Sequence, residues 1–269
     1  MAKYGILVIS HGSRSEEWVR LVDEAVAAVE LPVDVPICSS FLEIVEGRLI
    51  QDGIDMLEAD GVTDLIVVPL FVSSGSTHVD EIRYALGVQA APSLPTDLAP
   101  FRVQAKVHLA SPIDDDPLIA GIVLEKLKGL SRDPARELLV LVGHGSAEEG
   151  FYERWRLGLE RLAERVRQAG GFAAADTALL LPNELPELLA RWRRERPELE
   201  AIVAPLFLSE GYFTERVIPE RLQGSVHRYA GRALLPHPDI SRWIERQVRT
   251  IFSYEQVRGY GGKTSKVNL

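Results

Sequence analysis

The sequence predicts an α/β protein of two tandem lobes, each a mainly parallel sheet with helices on both faces. The first observation is that Ile6-Leu-Val-Ile-Ser-His11-Gly12-Ser13 returns as Leu139-Val-Leu-Val-Gly-His144-Gly145-Ser146, an offset of 133. The second is that Asp64-Leu-Ile-Val-Val-Pro-Leu-Phe-Val72 returns as Glu200-Ala-Ile-Val-Ala-Pro-Leu-Phe-Leu208, an offset of 136. Two matches in one order at nearly one offset mark an internal duplication. The third is that apolar runs in each half alternate with segments of helical periodicity, as buried parallel strands and their crossover helices require.

Taken in order, the apolar runs place strands near 4–10, 34–41, 64–72 and 103–109 in the first half. Trp18, Leu21, Val22, Ala25, Val26 and Val29 recur at helical spacing and give the first helix one buried stripe. The Pro-containing stretch Ala90 to Pro100 reads as a loop, and Ser131-Arg-Asp-Pro-Ala135 as the linker between halves. In the second half the strands fall near 137–143, 176–181, 200–207 and 231–235, and Phe151, Trp155, Leu159, Leu162 and Val166 mark the matching helix. The division is a first lobe over 1–132, a second over 133–256, and a loose tail over 257–269.

The 269 residues, 46% apolar and 26% charged, suffice for a full hydrophobic core and rule out a disordered or fibrous chain. The longest uncharged apolar stretches, such as Leu65 to Val72, fall far short of the ~20 residues of a membrane helix, and Met1-Ala2-Lys3-Tyr4 runs straight into a strand, so the expectation is a cytoplasmic protein with no membrane partner. One cysteine, Cys38, forbids an internal disulfide and a cysteine-bound cluster, leaving any metal to His and carboxylate. Residues 1–132 carry 10 Lys and Arg against 20 Asp and Glu, and residues 133–269 carry 20 against 19, so the net charge of −9 lies in the first half. That balance argues against a nucleic-acid partner. It fits either solvated helix faces or an acidic half that attracts a cation opposite one that neutralises an anionic ligand.

Ligands of open parallel sheets bind beyond the carboxyl ends of the strands. Those ends carry Ser10-His11-Gly12-Ser13-Arg14, then Phe41-Leu42-Glu43, then Ser73-Ser74-Gly75-Ser76-Thr77-His78. With the first three strands adjacent, in a flavodoxin-like order, His11, Glu43 and His78 overhang one rim. Two imidazoles and a carboxylate suit cobalt, iron, nickel or zinc better than magnesium or calcium. Gly12 permits close backbone approach, and Ser13 offers a hydroxyl and an N–H to an anion. Glu81, three residues after His78 on a helix, can orient its ring or relay its proton; with Asp80 it can equally complement the helix dipole, and Glu43 can equally be a solvated carboxylate.

In the second half His144 repeats His11, but at the 136 offset Thr214 stands where His78 stands. This half reads as a copy without the metal chemistry that keeps its anion-holding loop: His144, Gly145 and Ser146 join Ser10, Gly12, Ser13, Ser74, Gly75, Ser76 and Thr77 as substrate-binding candidates. Tyr212 and Phe213 can pack against a flat ligand or in a core, while Arg14, Arg154, Arg156 and Arg216 are placed to pair with carboxylates. His108, His227 and His237 read as structural, and the run Arg191 to Arg196 as a solvated helix face.

On His11-Gly12-Ser13-Arg14, Phe41-Leu42-Glu43 and Val68-Pro69-Leu70-Phe71-Val72 leading through Gly75 to His78, Asp80 and Glu81, the chain resembles the sirohydrochlorin chelatases, the class II tetrapyrrole metal chelatases, over residues 4–250. The duplication resembles that of their long, two-repeat members. The resemblance implies a chelatase-like fold. It also implies ATP-independent insertion of a divalent metal into a polycarboxylated tetrapyrrole with release of two protons, in the cobalamin or siroheme branch. His11 and His78 would be catalytic, His11, Glu43 and His78 would hold the metal, and Glu81 would relay protons. The metal, Co2+ before Fe2+ or Ni2+, is a substrate; no organic cofactor is implied, and the two lobes let a monomer complete the cleft. Val79-Asp80-Glu81-Ile82 after His78 departs from the family's commoner ending in Asp-Ile-Pro. Two rivals are a histidine phosphatase, disfavoured because Ser10 rather than Arg precedes His11, and a non-enzymatic metal or tetrapyrrole carrier.

Overall fold

The computed structural model describes residues 2–31 and 35–261, with residues 254–261 as backbone alone. Strands β1 (Tyr4–Ser10), β2 (Ile37–Phe41), β3 (Asp64–Pro69) and β4 (Lys106–Leu109) form a parallel sheet in the order β2-β1-β3-β4. Strands β5 (Glu137–Gly145), β6 (Ala174–Leu181), β7 (Glu200–Pro205) and β8 (His227–Tyr229) repeat it as β6-β5-β7-β8. The connecting helices are α1 (Glu16–Ala27), α2 (Ile50–Ala59), α3 (Thr77–Ala85), α4 (Pro117–Leu127), α5 (Phe151–Gly170), α6 (Leu185–Glu195), α7 (Ile218–Arg221) and α8 (Pro238–Gly261). The two-lobed α/β architecture and the position of β1 between β2 and β3 are those expected.

The period-2 alternation of strand side chains divides each sheet between two cores. Leu7 and Ile9 face an outer core with α2 and α3, while Ile6 and Val8 face a central one. In the second sheet Leu138, Val140 and Val142 meet α6 and α7, and Leu139 and Leu141 meet the same central core. That core is filled by α1, α4, α5 and α8 together. The last helix of each repeat crosses over: α4 packs on α5 of the second lobe, and α8 packs on α1 and β3 of the first. Ser241 Oγ donates to the Ala25 carbonyl (2.7 Å), and Phe252 meets Tyr4 edge-on at 4.9 Å between ring centroids. The lobes therefore share one interior, and the rims at the carboxyl ends of their strands are held at a fixed separation.

Several boundaries differ from the sequence reading for local reasons. The expected strand over 231–235 is absent, and β8 lies at His227–Tyr229. Ala233, Leu234 and Leu235 are buried in an extended loop whose N–H groups bond Phe207 and Leu208 beyond the end of β7, so this apolar run fills the core without joining the sheet. β4 starts at Lys106 because the N–H groups of Gln104 and Ala105 donate to Glu58 Oε1 at 2.6 and 2.8 Å. β3 ends at Pro69, which has no N–H for the ladder. β2 starts at Ile37 and not at 34, a position that lies outside the described residues along with 32 and 33. The tail expected from 257 begins inside α8; residues 262–269 lie outside those described.

The loop over 90–100 is held by Asp80, whose carboxylate accepts from Ser93 N, Ser93 Oγ and Gln89 Nε2. Burial opposes its ionisation, yet these donors hold it below the usual carboxylate range. Among the described residues no helix is long and apolar enough to cross a membrane.

Candidate functional site

The ends of β1, β3, β5 and β7 open on a cleft of about 920 Å³ between the lobes, toward the upper end of the ~300–1,000 Å³ usual for ligand sites. At the end of β1 the chain turns at Gly12 with φ +101°, where a Cβ would collide with the Glu43 carbonyl oxygen. Glu43 N donates in turn to the His11 carbonyl at 3.1 Å. Only glycine lets the two strand-end loops meet this closely, and their meeting puts Glu43 beside His11. Ser15 then caps α1, accepting from Trp18 N at 3.3 Å, so the turn passes directly into the helix.

His78 enters from the first turn of α3. The preceding loop is closed by Gly75 N donating to Ser73 Oγ (3.0 Å) and by Ser74 N donating to Asp114 Oδ1 (2.8 Å). Gly75 lies against the second lobe: a Cβ there would sit 2.6 Å from both the Phe151 carbonyl oxygen and Trp155 N of α5. Asp114 has φ +46°, and burial pushes its carboxyl above the ordinary range despite the Ser74 N–H.

The His11 and His78 rings meet edge-to-face with centroids 4.8 Å apart. His11 Nδ1 lies 3.2 Å from the Gly12 carbonyl oxygen, which can only accept, so Nδ1 carries the proton and Nε2 the lone pair. His78 Nδ1 lies 3.1 Å from Glu81 Oε2, which fixes the same tautomer when Glu81 is ionised. Both Nε2 atoms are thereby left basic. His11 Nε2 is 3.5 Å from Glu43 Oε1. Two ligands of one metal with bonds of about 2.1 Å stand roughly 3.0–3.4 Å apart, so this pair lies just wider than the spacing that a shared ion would set. The side chains of His11 and Glu43 are 40% and 54% exposed, so the pair is open to solvent. No group of three or more His, Cys, Asp or Glu side chains is already gathered as a metal cage among the described residues.

The second rim repeats the backbone with other side chains. Gly145 has φ +81°, and a Cβ there would collide with the Leu181 carbonyl oxygen, so Leu181 occupies the place of Glu43. His144 Nδ1 donates to the Gly145 carbonyl at 3.0 Å, as His11 does to Gly12. The ring that meets His144 edge-on, at 4.9 Å between centroids, is Phe213. The counterpart of His78 is thus Phe213 and not Thr214, because Phe213–Val217 is a π-helical turn whose wider pitch displaces the side chains by one residue. Thr214 is buried, and its Oγ1 both donates to the Gly211 carbonyl and accepts from Gly211 N.

His11, Gly12, Ser13, Gly75, Ser76, Thr77, His78, His144, Gly145, Ser146 and Tyr212 all line the cleft. Other expected residues do not. Ser10 is fully buried and its hydroxyl has no partner among the described residues. Ser74 faces Asp114, and Glu81 stands behind His78. Arg14 and Arg216 are exposed outside the cleft, Arg14 lining a separate depression with Val19 and Ile44. Arg154 lies over the Phe151 ring at 4.3 Å, and Arg156 pairs with Glu160. Among the described residues that line the cleft there is no Arg or Lys, and the charged members are the carboxylates Glu17, Glu210 and Glu215. None of the four expected arginines is among these lining residues: Arg14 and Arg216 are exposed, and Arg154 and Arg156 have partners on their own helix.

The sequence reading missed the apolar lining, including Trp18, Trp155, Leu181 and Phe207. Phe207 was visible within the duplicated Pro-Leu-Phe, but periodicity marked the tryptophans as core. It also missed Asp114, whose sole sequence signal is the run Asp114-Asp115-Asp116. The remaining histidines are structural: His108 Nε2 is 3.0 Å from Asp64 Oδ1, and His237 Nδ1 accepts from Asp239 N at the start of α8. Arg191 of the basic run pairs with Asp176.

The CbiX family model matches residues 5–130 and again 138–251. A sirohydrochlorin ferrochelatase of Priestia megaterium is 26% identical over 259 residues, covering 92% of this chain and 90% of that protein. A sirohydrochlorin cobaltochelatase of Methanopyrus kandleri is 26% identical over 135 residues, 46% of this chain and 94% of that protein, and so has the length of a single repeat. Among solved structures, SirB from Bacillus subtilis with Fe3+ superposes with a TM-score of 0.70 at 19% identity, over 92% of this chain and 94% of that one. CbiX described as the terminal enzyme of siroheme biosynthesis in denitrifying bacteria gives 0.62 at 18% identity, over 91% and 98%.

Proposed function

This chain belongs to the CbiX family, and from that premise we propose that it is a sirohydrochlorin chelatase, inserting a divalent metal into a polycarboxylated tetrapyrrole held between its lobes. The observation that carries the reading is the pair of imidazoles 4.8 Å apart on one wall of a cleft large enough for a macrocycle, each with its Nδ1 bonded and its Nε2 left to act as a ligand, that of His11 beside Glu43. Insertion requires an aquo-metal partly stripped of water, presented to the pyrrole nitrogens and then released. Neutral imidazole binds such ions reversibly near pH 7, and a half-exposed set with no closed cage favours release over retention. In this reading His11 and His78 present the metal, Glu43 assists, and Glu81 orients His78 and relays protons.

The tetrapyrrole would lie against the apolar wall built by Trp18, Trp155, Phe207 and Phe213. Its acidic arms would meet Ser13, Ser76, Thr77 and Ser146 rather than arginines. Tyr212, 65% exposed, is the aromatic free to close on the ligand. The single-repeat relative above is a cobaltochelatase and the full-length one a ferrochelatase, which puts Fe2+ beside Co2+ as the metal, with Ni2+ third. The N-terminal lobe, residues 1–132, would supply the metal chemistry and the C-terminal lobe, residues 133–256, the substrate platform, in a monomer acting without an organic cofactor.

The test is anaerobic mixing of metal-free sirohydrochlorin with each metal, following the absorbance change of insertion against the spontaneous rate. Acceleration that disappears in His11→Ala is expected. Binding of the pigment without acceleration would assign the cleft to a carrier instead.

A further inference from the structure

We propose that His144 is a catalytic base which takes one of the two displaced pyrrole protons, from the face of the macrocycle opposite His11 and His78; this rests on the chelatase reading above. His144 lines the same cleft from the other lobe. Its Nδ1–H is bound to the Gly145 carbonyl, so Nε2 keeps its lone pair, as in His11. Its surroundings differ in kind, with Phe213 in place of His78 and Leu181 in place of Glu43. A lone imidazole with apolar neighbours in both ligand positions makes a poor metal site and a serviceable proton acceptor near neutrality. The charged groups lining the cleft around it are Glu210 and Glu215 of the loop after β7 and Glu17 of α1; among the described lining residues no Arg or Lys opposes formation of the imidazolium.

The chemistry balances without a further reactant. Two pyrrole N–H bonds break heterolytically, and their electron pairs become two nitrogen–metal bonds as the metal leaves its imidazoles and last waters. The entering cation repels protons departing on its own side, so the first proton leaves on the far face, to His144 Nε2, and is passed to water at the cleft mouth. The second is taken by the imidazole that the metal has vacated. A divalent ion and the diprotonated macrocycle thus become the neutral-core chelate and two protons.

The experiment compares the full wild-type chain with His144→Ala and His144→Gln in anaerobic cobalt insertion into sirohydrochlorin, with cobalt binding to the protein alone measured by equilibrium dialysis. Expected are a kcat lower by about 10²-fold with KM changed less than about threefold, unaltered cobalt binding, and recovery of kcat in His144→Ala on adding imidazole, measured against wild type at the same imidazole concentration. An unchanged kcat, a loss confined to KM, or a loss that imidazole does not repair would each overturn the proposal and leave His144 a packing residue. A wild-type chain that fails to accelerate insertion removes the chelatase reading and this one with it. A wild-type chain that accelerates it equally with and without His144 removes this one alone.

Discussion

At the end of β1 and again at the end of β5, a histidine bonds the carbonyl of the residue after it, and a glycine at positive φ lets the next loop press close. Around those two turns the side chains part company. The first ring meets a second imidazole and a carboxylate; the other meets Phe213, and Leu181 stands at the loop position that Glu43 holds in the first lobe. The loops differ as well. Gly75 is wedged against α5 and its neighbour Ser74 is tied to Asp114, whereas Gly211 has open space around it and Tyr212 stands in solvent. The turn geometry is therefore set by glycine and backbone alone, so either lobe can present a ring. Whether the ring meets a metal is decided by two side chains, and how firmly it is held is decided by what the other lobe packs behind the loop.

The comparison breaks most directly at the rings. His11→Ala and His78→Ala are expected to lower the insertion rate by about 10²–10⁴-fold, whereas Phe213→Ala, at the position matching His78, should raise KM and lower kcat less than about tenfold. Initial rates with saturating metal check this, and equal losses at 78 and 213 would erase the division between lobes.

A smaller effect separates the two loops. Gly75→Ala forces a methyl into the backbone of α5, at about 1–3 kcal/mol. The displacement it causes at His78 should slow insertion by roughly 10–100-fold. Gly211→Ala meets nothing within 4 Å and should stay within about 0.5 kcal/mol and twofold in rate. Thermal unfolding and kinetics on the two variants read both quantities.

One rim can be rebuilt as the other. Leu181→Glu with Phe213→His gives His144 the neighbours that His11 has, and should add a weak second site for Co2+. Equilibrium dialysis should then show its binding stoichiometry rise from about one to about two per chain, since imidazole and carboxylate suffice as ligands for this ion. An unchanged stoichiometry would mean that the looser second rim, and not its side chains, excludes the metal.

The duplicated runs made both sheets and their order readable in advance, because a buried parallel strand is an unbroken apolar string and its offset repeats. His11, His78 and His144 were readable for a related reason: a polar residue at the end of such a string has few structural reasons to be there. The misreadings come from contacts that no local pattern carries. Ala233-Leu234-Leu235 has a strand's composition but bonds to the loop after β7. The match of His78 to Phe213 depends on a π turn, which adds a residue without a sequence signature. The arginines were placed by nearness in sequence to rim loops, while the side chains extend away from the cleft. The exchange of α4 and α8 between lobes shows in sequence only as the nearly all-round apolar run Leu118-Ile-Ala-Gly-Ile-Val-Leu124 of α4, which marks a helix covered on several sides without saying by what.

The smallest effect on chemistry is expected at the far ends of the same two central strands. The first residue of β1, Tyr4, packs on Phe252, whereas the first of β5, Glu137, is a buried carboxylate that clamps the linker between the repeats. It accepts from Ser131 Oγ (2.5 Å), Arg132 N (2.7 Å), Asp133 N (3.0 Å) and Arg228 Nη2 (2.8 Å). Burial works against its charge, but these four donors hold its carboxyl below the ordinary range. A carboxyl lower in the folded than in the unfolded chain binds fewer protons when folded, so its contribution is complete above the unfolded value of about 4.3 and is lost as pH falls through the lower folded value. Glu137→Gln, which keeps the shape but removes the charge, should lower stability near pH 7 by about 2–3 kcal/mol. It should also flatten the acid limb of the unfolding curve, and leave kcat at 25 °C within about twofold because the cleft lies at the opposite end of β5. A comparable loss of insertion rate would mean that the linker clamp sets the separation of the two rims, joining the two ends of the strand that this prediction treats as independent.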